Sequence, residues 1–467
     1  MLRGLSIVLV ALVLPAQASA FSRHDEVVTM GDGVEIATSL YLPDGTPPAR
    51  GWPGVLLLHG LNGDRSQVAP LAESVLAPKG YAVLAYDARG HGASKGQVTI
   101  DGPREIDDLR TLFARFAARP DVRDDRIGAW GISYGGGAVL RAAVEGVPFA
   151  AIETVETWTD LYSALMPQDL AKSGVVAGFV SGIRPSAVSP LVEQVRDDAF
   201  TGRNLGELKA FSRERSSRRL LGRLRTPTYL FQGRRDFAFG LDQARAGFRA
   251  LRGPKRLYIG AFGHAPSKFP GPDVDRVFAE GLAWFDHWLR GLPNGVDSRP
   301  RVTLAPEAAR GRSLVSTALP KALLSSIPFR GSRTIATTGR VVRSAGRTQQ
   351  TVEVFGAPEV RVTARTTGGW SRLVATLTAT TPSGKVIVVS AGGVRTRPGR
   401  RTYTIRMLDQ ATLVPGRSTL RLVLAGDTTK QDPGNLLYLD LPMSAGARVT
   451  IGQATLRLPV LGRTISR

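Results

Sequence analysis

Apolar and polar positions alternate between two patterns along the N-terminal two thirds of the chain. Continuous apolar runs, as at residues 54–58 and 81–86, are typical of strands buried on both faces. Residues 103–118 instead repeat their apolar side chains at helical spacing. The alternation predicts an α/β fold, a mostly parallel sheet with helices on both faces. It places further strands at 126–130, 228–231 and 256–259, and further helices at 136–147, 241–251 and 274–289.

The alternation stops between about residues 157 and 225, which are polar and helix-like with no clear strand. We therefore predict a helical cap inserted into an α/β domain that spans residues 21–295. Residues 293–300 have the Pro- and Gly-rich composition of a linker. Beyond them, short Val-, Thr- and Leu-rich runs without helical periodicity predict an all-β sandwich or jelly roll over residues 300–467. These runs lie at 359–363, 372–377, 385–389, 402–405, 419–424 and 447–451.

The first twenty residues have the pattern of a secretion signal. A short basic start containing Arg3 precedes an apolar stretch at 5–14, and the small residues 18–20 follow. The apolar stretch is shorter than the roughly 18 residues that a membrane span needs. We expect cleavage after Ala20 and secretion of the protein; the alternative is an uncleaved anchor.

The net charge of +22 is concentrated at one end of the chain. Residues 301–467 contain 25 Lys or Arg and 7 Asp or Glu, a net charge of +18. Such a domain could contact an anionic cell-envelope surface, but the Arg residues are scattered, which favours a solvated surface and no nucleic-acid partner. Cysteine is absent, which excludes thiol catalysis and thiolate zinc sites. No metal or organic cofactor is predicted.

Two segments match the Gly-x-Ser-x-Gly pattern of a nucleophile elbow, in which serine occupies a sharp turn between a strand and a helix. Ser133, at the centre of residues 131–135, directly follows a predicted strand and opens a predicted helix. Ser94, within residues 92–96, lies several residues beyond its strand, and no helix start follows it. The context identifies Ser133 as the candidate nucleophile, and the Tyr134 N–H as one oxyanion donor.

The partners of Ser133 follow from chain order, since this fold places the acid and then the histidine after the serine. Of the five histidines, His264 lies in a loop just past a strand, where catalytic groups gather in α/β sheets. His287 lies inside a predicted helix. Asp236 is the candidate acid because it follows the strand at 228–231, and Asp242 is the alternative.

The loop after the strand at 55–58 would supply the second oxyanion donor, the Leu61 N–H. His59 is expected to orient that loop. Asp87 and Arg89 are expected to form a bracing ion pair beside the site.

Taken together, these segments resemble the X-prolyl dipeptidyl peptidase and cocaine-esterase-like (CocE/NonD) hydrolases. The resemblance implies an α/β-hydrolase domain with a helical cap, a C-terminal jelly roll, and hydrolysis of acyl esters or amides. Some members of the family take an oxyanion donor from a Tyr side chain, where this chain has Leu61 and Asn62. The similar segments are 30–34, 86–94, 131–136, 159–162, 356–362 and 414–422.

Three functions remain open at this point. The first is hydrolysis of a small acyl ester or amide through an acyl-enzyme, and the second is release of X-Pro dipeptides. The cap shows no carboxylate assignable to a substrate's terminal amine, which favours the first. The third is a secreted binding protein on a hydrolase scaffold.

Overall fold

The computed structural model describes residues 20–307, 311–429 and 435–462. The predicted signal segment therefore lies outside the described residues except for Ala20. Among the described residues, no helix combines the length and apolar character needed to cross a membrane.

One ten-stranded sheet forms the N-terminal part of the molecule. Its strands are β1 (Phe21–Thr29), β2 (Glu35–Pro43), β3 (Trp52–Leu58), β4 (Ala82–Tyr86), β5 (Val122–Ile132), β6 (Ala151–Val155), β7 (Thr228–Gly233), β8 (Lys255–Gly260), β9 (Val302–Leu304) and β10 (Leu314–Ser316). They are arranged in the order β1-β2-β4-β3-β5-β6-β7-β8-β9-β10. The central strands from β4 to β9 in this order are parallel, and β1, β2 and β10 are antiparallel to their neighbours.

Helices cover the sheet and form the cap. They are α1 (Ala69–Leu71), α2 (Pro103–Ala117), α3 (Tyr134–Val144), α4 (Leu161–Leu165), α5 (Ser173–Ser181), α6 (Pro190–Thr201), α7 (Leu205–Glu214), α8 (Leu241–Ala250) and α9 (Val274–Trp288). Short helical turns lie at Arg65–Gln67, Ala72–Leu76, Ala77–Lys79, Pro167–Asp169, Pro185–Ala187 and Leu221–Arg223. Helices α4 to α7 lie between β6 and β7, where the sequence places the cap. The predicted α/β fold is confirmed.

Two features of this sheet differ from the sequence-based expectation. Strand β6 was not predicted, because Glu153 and Thr154 interrupt its apolar run, although all five of its residues are buried. Strands β9 and β10 lie beyond residue 300 yet extend the first sheet through β8. They have three residues each, too few to show a periodicity. The first sheet thus ends after Ser316, not before residue 300.

The C-terminal part consists of two antiparallel sheets. Its strands are β11 (Ala322–Phe329), β12 (Arg333–Ala336), β13 (Val341–Arg347), β14 (Val352–Gly356), β15 (Glu359–Thr367), β16 (Arg372–Thr380), β17 (Val386–Arg395), β18 (Gly399–Arg406), β19 (Gln410–Val414), β20 (Thr419–Ala425) and β21 (Arg448–Leu461). One sheet has the order β18-β15-β21-β14-β19, with β11 and β12 also paired to β21; the other has the order β13-β20-β16-β17. Alternate residues such as Val360, Val362 and Leu377 fill a core that the two sheets share.

Candidate active site

Ser133 occupies a sharp turn between β5 and α3. Its backbone has φ +53° and ψ −112°, a conformation that costs energy for a residue with a side chain. The turn is closely packed, with no room for a side chain at either glycine of the motif. A Cβ added to Gly131 would lie 2.2 Å from the Gly135 carbonyl oxygen, and a Cβ added to Gly135 would lie 2.4 Å from the Leu58 carbonyl oxygen. The glycines of the motif therefore permit the strained turn that presents the Ser133 hydroxyl at the carboxyl edge of the sheet.

The structure brings Ser133, His264 and Asp236 together. Ser133 Oγ lies 2.9 Å from His264 Nε2, and His264 Nδ1 lies 2.8 Å from Asp236 Oδ2. Asp236 also accepts hydrogen bonds from the backbone N–H groups of His264 at 3.1 Å and Phe239 at 2.8 Å. These bonds fix the carboxylate so that it can hold the imidazole with its Nδ1 proton facing away from Ser133.

Hydrogen bonds between loops maintain this alignment. The Phe237 N–H donates to the Ala265 carbonyl at 3.1 Å, which ties the loop of the acid to the loop of the histidine. The ring of Phe239 meets the His264 ring edge to face at 5.2 Å, and Phe179, from cap helix α5, meets it at 5.9 Å. The cap thus covers the imidazole with an aromatic side chain.

Glu156 is a second carboxylic acid at this site, and the sequence analysis missed it. It follows β6 with φ +42°, is 4% exposed, and leaves Oε2 without a hydrogen-bond partner among the described residues. One ligand-type atom from each of Glu156, Asp236 and His264 lies within 4.8 Å of the others, so these three side chains offer donor atoms suited to a cation. Recognition of β6 would have placed Glu156 at the same sheet edge as Ser133.

Charge governs protonation at this cluster. Burial by itself lowers the pKa of His264, but the carboxylates of Asp236 and Glu156 outweigh it and raise that pKa to about 9. Burial raises the pKa of Glu156 above its usual value, with His264 opposing the shift and Asp236 adding to it. The imidazole is therefore well suited to carry a positive charge.

The loop that contains Leu61 packs beside Ser133. The Gly135 N–H donates to the His59 carbonyl at 3.0 Å, which ties this loop to the elbow. His59 Nδ1 lies 2.7 Å from the Gly60 carbonyl oxygen, and His59 Nε2 accepts from the Ala88 N–H at 2.9 Å. His59 is thus a buried brace of this loop, and Leu61, Ser133 and Tyr134 line the same pocket.

The alternative candidates lie in other environments. Ser94 Oγ is buried, donates to the Asp87 carbonyl at 2.7 Å and accepts from the Ala37 N–H at 2.9 Å. Asp242 Oδ2 accepts from Gln243 Nε2 at 2.7 Å. Burial and the nearby Asp409 raise the pKa of Asp242 to about 6. His287 Nδ1 lies 3.3 Å from the backbone carbonyl of Leu292, just beyond the end of α9.

The expected ion pair between Asp87 and Arg89 is wrong. Asp87 instead pairs with Arg65, which also donates its backbone N–H to Asp87 Oδ1 at 2.7 Å. Arg89 pairs with Asp108 at 2.6 Å and Asp32 at 2.8 Å. The two residues therefore brace different parts of the chain, Asp87 at Arg65 and Arg89 at Asp32 and Asp108.

An apolar pocket of about 80 Å³ opens beside Ser133 and continues beneath the cap. Leu61, Tyr134 and Phe239 form its wall near the serine. Among the described residues that line it, none is acidic and Arg196 is the single charged one. The cap contributes Val176, Phe179, Val180, Val192, Val195, Ala199, Leu208 and Phe211.

The C-terminal β domain contacts the loop of Asp236 directly. The Ala411 N–H, in β19, donates to the Arg234 carbonyl at 2.8 Å, and the Leu241 N–H donates to the Asp409 carbonyl at 2.8 Å. These bonds lie on either side of Asp236. The β domain therefore holds the backbone on both sides of Asp236, in the segment from Arg234 to Leu241 that we call the acid loop.

A buried ion pair also joins the acid loop to the C-terminal β domain. Arg234 pairs with Glu353 of β14, and the guanidinium of Arg234 also donates to the Ala305 carbonyl at 2.5 Å. The side chains of Arg234 and Glu353 are 3% and 5% exposed. Removing one partner would leave a buried charge uncompensated, which costs about 3–5 kcal/mol of folding free energy.

Comparisons with known proteins find hydrolases among the relatives of this chain. The cocaine esterase of Rhodococcus sp. is 27% identical over 344 residues, 60% of this chain and 57% of that protein. The thiohydrolase aneE of Aspergillus aculeatus is 30% identical over 114 residues, 24% of this chain and 34% of its own. The first curated relatives are matched over about a third to a half of their own length.

Structural likeness covers both parts of the molecule. The crystal structure of a CocE/NonD family hydrolase from Staphylococcus aureus superposes with a TM-score of 0.74 at 15% sequence identity, covering 94% of each chain. At this identity the likeness shows the fold alone. Residues 32–266, half of the chain, match the family model described as X-Pro dipeptidyl-peptidase (S15 family). The resemblance predicted from sequence is confirmed: the chain belongs to the X-Pro dipeptidyl-peptidase (S15) family, and its fold is similar to that of the CocE/NonD hydrolases.

Proposed function

We propose that this protein is a secreted esterase that cleaves small apolar acyl esters through a covalent acyl-enzyme. The observation that carries the proposal is the hydrogen-bonded chain from Ser133 through His264 to Asp236, at the mouth of an apolar pocket. Strand β1 begins at Phe21, directly after the expected cleavage position. Residues 1–20 would direct export, so the N-terminal residue of the exported protein should be Phe21.

The chemistry proceeds in two acyl-transfer steps. Ser133 Oγ attacks the ester carbonyl while His264 Nε2 takes its proton, and Asp236 stabilises the imidazolium that forms. The backbone N–H groups of Leu61 and Tyr134 hold the oxyanion. His264 then protonates the leaving alcohol, and water, activated by the same imidazole, releases the acid and regenerates Ser133.

The pocket favours a small apolar acyl group over an X-Pro dipeptide. A dipeptide would bring a positively charged terminal amine, and among the described lining residues no carboxylate is available to pair with it. The pocket volume of about 80 Å³ is also smaller than the about 150 Å³ cavity that holds one benzene molecule in a protein core. We expect acetyl to butanoyl esters to be the best substrates.

Paired serine variants test the mechanism. Ser133→Ala should lower kcat/KM for p-nitrophenyl acetate by about a thousandfold or more, and should abolish labelling by a fluorophosphonate probe. Ser94→Ala is the matched control and should keep both activities. Activity retained in Ser133→Ala would overturn the proposal. A folded wild-type protein that no probe labels would favour a binding protein on this scaffold.

A substrate panel tests the substrate class. Acetyl, butanoyl, octanoyl and benzoyl esters of p-nitrophenol are compared with Gly-Pro- and Ala-Pro-p-nitroanilides on the wild-type enzyme. The two short esters should have the highest kcat/KM. A higher kcat/KM for the X-Pro anilides would make the chain a dipeptidyl peptidase by activity as well as by family.

A further inference from the structure

A large basic cleft lies where the cap, helix α8 and the β domain meet. Its volume is about 1190 Å³, and its lining includes eight Lys or Arg and two Asp, Asp242 and Asp409. We call it the basic cleft. Six of its cationic residues are Arg245, Arg249, Lys255, Arg301, Lys321 and Arg406.

Most of this positive charge is uncompensated. Arg245 pairs with Asp409 at 2.6 Å. In the described part of the chain, the side chains of four other cleft residues form no ion pair or hydrogen bond with the protein: Arg249, Arg301, Lys321 and Arg406. Arg218 pairs with Asp160, which lies outside the lining, at 3.8 Å. Eight cations against the two lining carboxylates and Asp160 leave an excess of five positive charges around one cavity.

The cations also repel one another. Burial, followed by the charges of Arg301 and Arg252, lowers the pKa of Lys255. Burial, followed by the charge of Arg245, lowers the pKa of Arg249. Like charges held at close range destabilise the folded protein unless a counter-charge is present.

We propose that the basic cleft binds an oligoanion that bears several phosphate groups. Arginine predominates among the cleft cations, and its planar guanidinium donates pairs of hydrogen bonds that match phosphate oxygens. The volume slightly exceeds the roughly 300–1,000 Å³ of typical ligand sites, so an extended anion fits better than a single phosphate. This inference does not depend on the proposed esterase activity.

The cleft is connected to the acid loop through one buried side chain. Lys172 lines the cleft, and its ammonium donates to the carbonyls of Phe237 and Ala238 at 2.9 and 2.8 Å. These carbonyls follow Asp236 directly in the chain. A bound anion would thus lie beside the lysine that holds the acid loop.

Calorimetric titration with inorganic tripolyphosphate tests the proposal. The wild-type chain should bind one equivalent, and the double variant Arg249→Glu/Arg301→Glu should lose about a hundredfold in affinity, about tenfold for each charge-assisted contact. The matched control is Arg361→Glu/Arg365→Glu, which changes the net charge equally at two exposed positions of β15 outside the cleft. The control should bind within about twofold of wild type, and thermal unfolding checks that all variants fold.

Three outcomes would overturn the proposal. Equal weakening in both double variants would mean attraction to the overall charge and not to the cleft. Absence of saturable heat with the wild-type chain would mean that no such site exists. Citrate binding as tightly as tripolyphosphate would show that charge alone, without phosphate geometry, accounts for the interaction.

Discussion

Cap residues line two cavities with opposite properties. The pocket beside Ser133 encloses about 80 Å³ between apolar and aromatic side chains, whereas the basic cleft encloses about 1190 Å³ among cationic ones. Met166 contributes to the lining of both. The acid loop lies between them: Asp236 contacts His264, while Asp242, six residues further along, lines the basic cleft. Both carboxylates follow β7 in the chain, and the groups that surround each one distinguish them: His264 for Asp236 and the basic cleft for Asp242.

The largest expected effect separates these two carboxylates. Asp236→Asn should lower kcat by about ten-thousandfold, because an amide at this position stabilises the wrong tautomer of His264. Asp242→Asn is the matched control and should change kcat by less than about threefold. Steady-state kinetics with p-nitrophenyl acetate measures both, and the opposite ranking would assign the acid to the basic cleft.

The next effect concerns the size of the apolar pocket. Val195→Phe should fill part of the space beneath α6 and lower kcat/KM for the butanoyl ester by about tenfold or more relative to the acetyl ester. Leu191→Phe, on the same helix but 44% exposed and outside the pocket lining, should leave that ratio unchanged. An unchanged ratio in Val195→Phe would show that the acyl group binds elsewhere.

The smallest effect is a shift in pH dependence at the carboxylate beside the triad. The charge of Glu156 raises the pKa of His264, so Glu156→Gln should lower the pKa of His264. The neutral imidazole that acts as the base then forms at lower pH. The apparent pKa of the acidic limb in the pH profile of kcat/KM should fall by about one unit. Glu153→Gln is the matched control, because it also removes a buried carboxyl on β6. Burial alone raises the pKa of Glu153, so this variant should leave the acidic limb unchanged. Identical profiles for both variants would remove Glu156 from the electrostatics of the site.

Local sequence patterns predicted much of this fold because the signals were strong over short distances. The apolar run of β3 and the helical spacing of α2 each identify an element without reference to the rest of the chain. The three candidate triad residues follow from strand ends, since the parallel strands β5, β7 and β8 carry their carboxyl ends to one edge. The structure places all three at that edge.

The elements and contacts that the sequence did not predict depend on contacts between residues far apart in the chain. Strand β6 is buried despite Glu153, so its polarity hid both the strand and Glu156 after it. Strand β11 was not predicted because most of its residues are exposed and only its pairing with β21 defines it. The buried pair of Arg234 and Glu353 spans 119 residues, and no short-range pattern encodes such a contact.

The hydrogen bonds that β19 and its flanking residue make on either side of Asp236 have an implication for engineering and for evolution. A shortened polypeptide ending near residue 300 would retain its serine and its imidazole but lose the scaffold that orients the carboxylate between Arg234 and Leu241. Exchange of the β module between relatives would therefore be tolerated only where the replacement presents matching main-chain donors and acceptors to this loop.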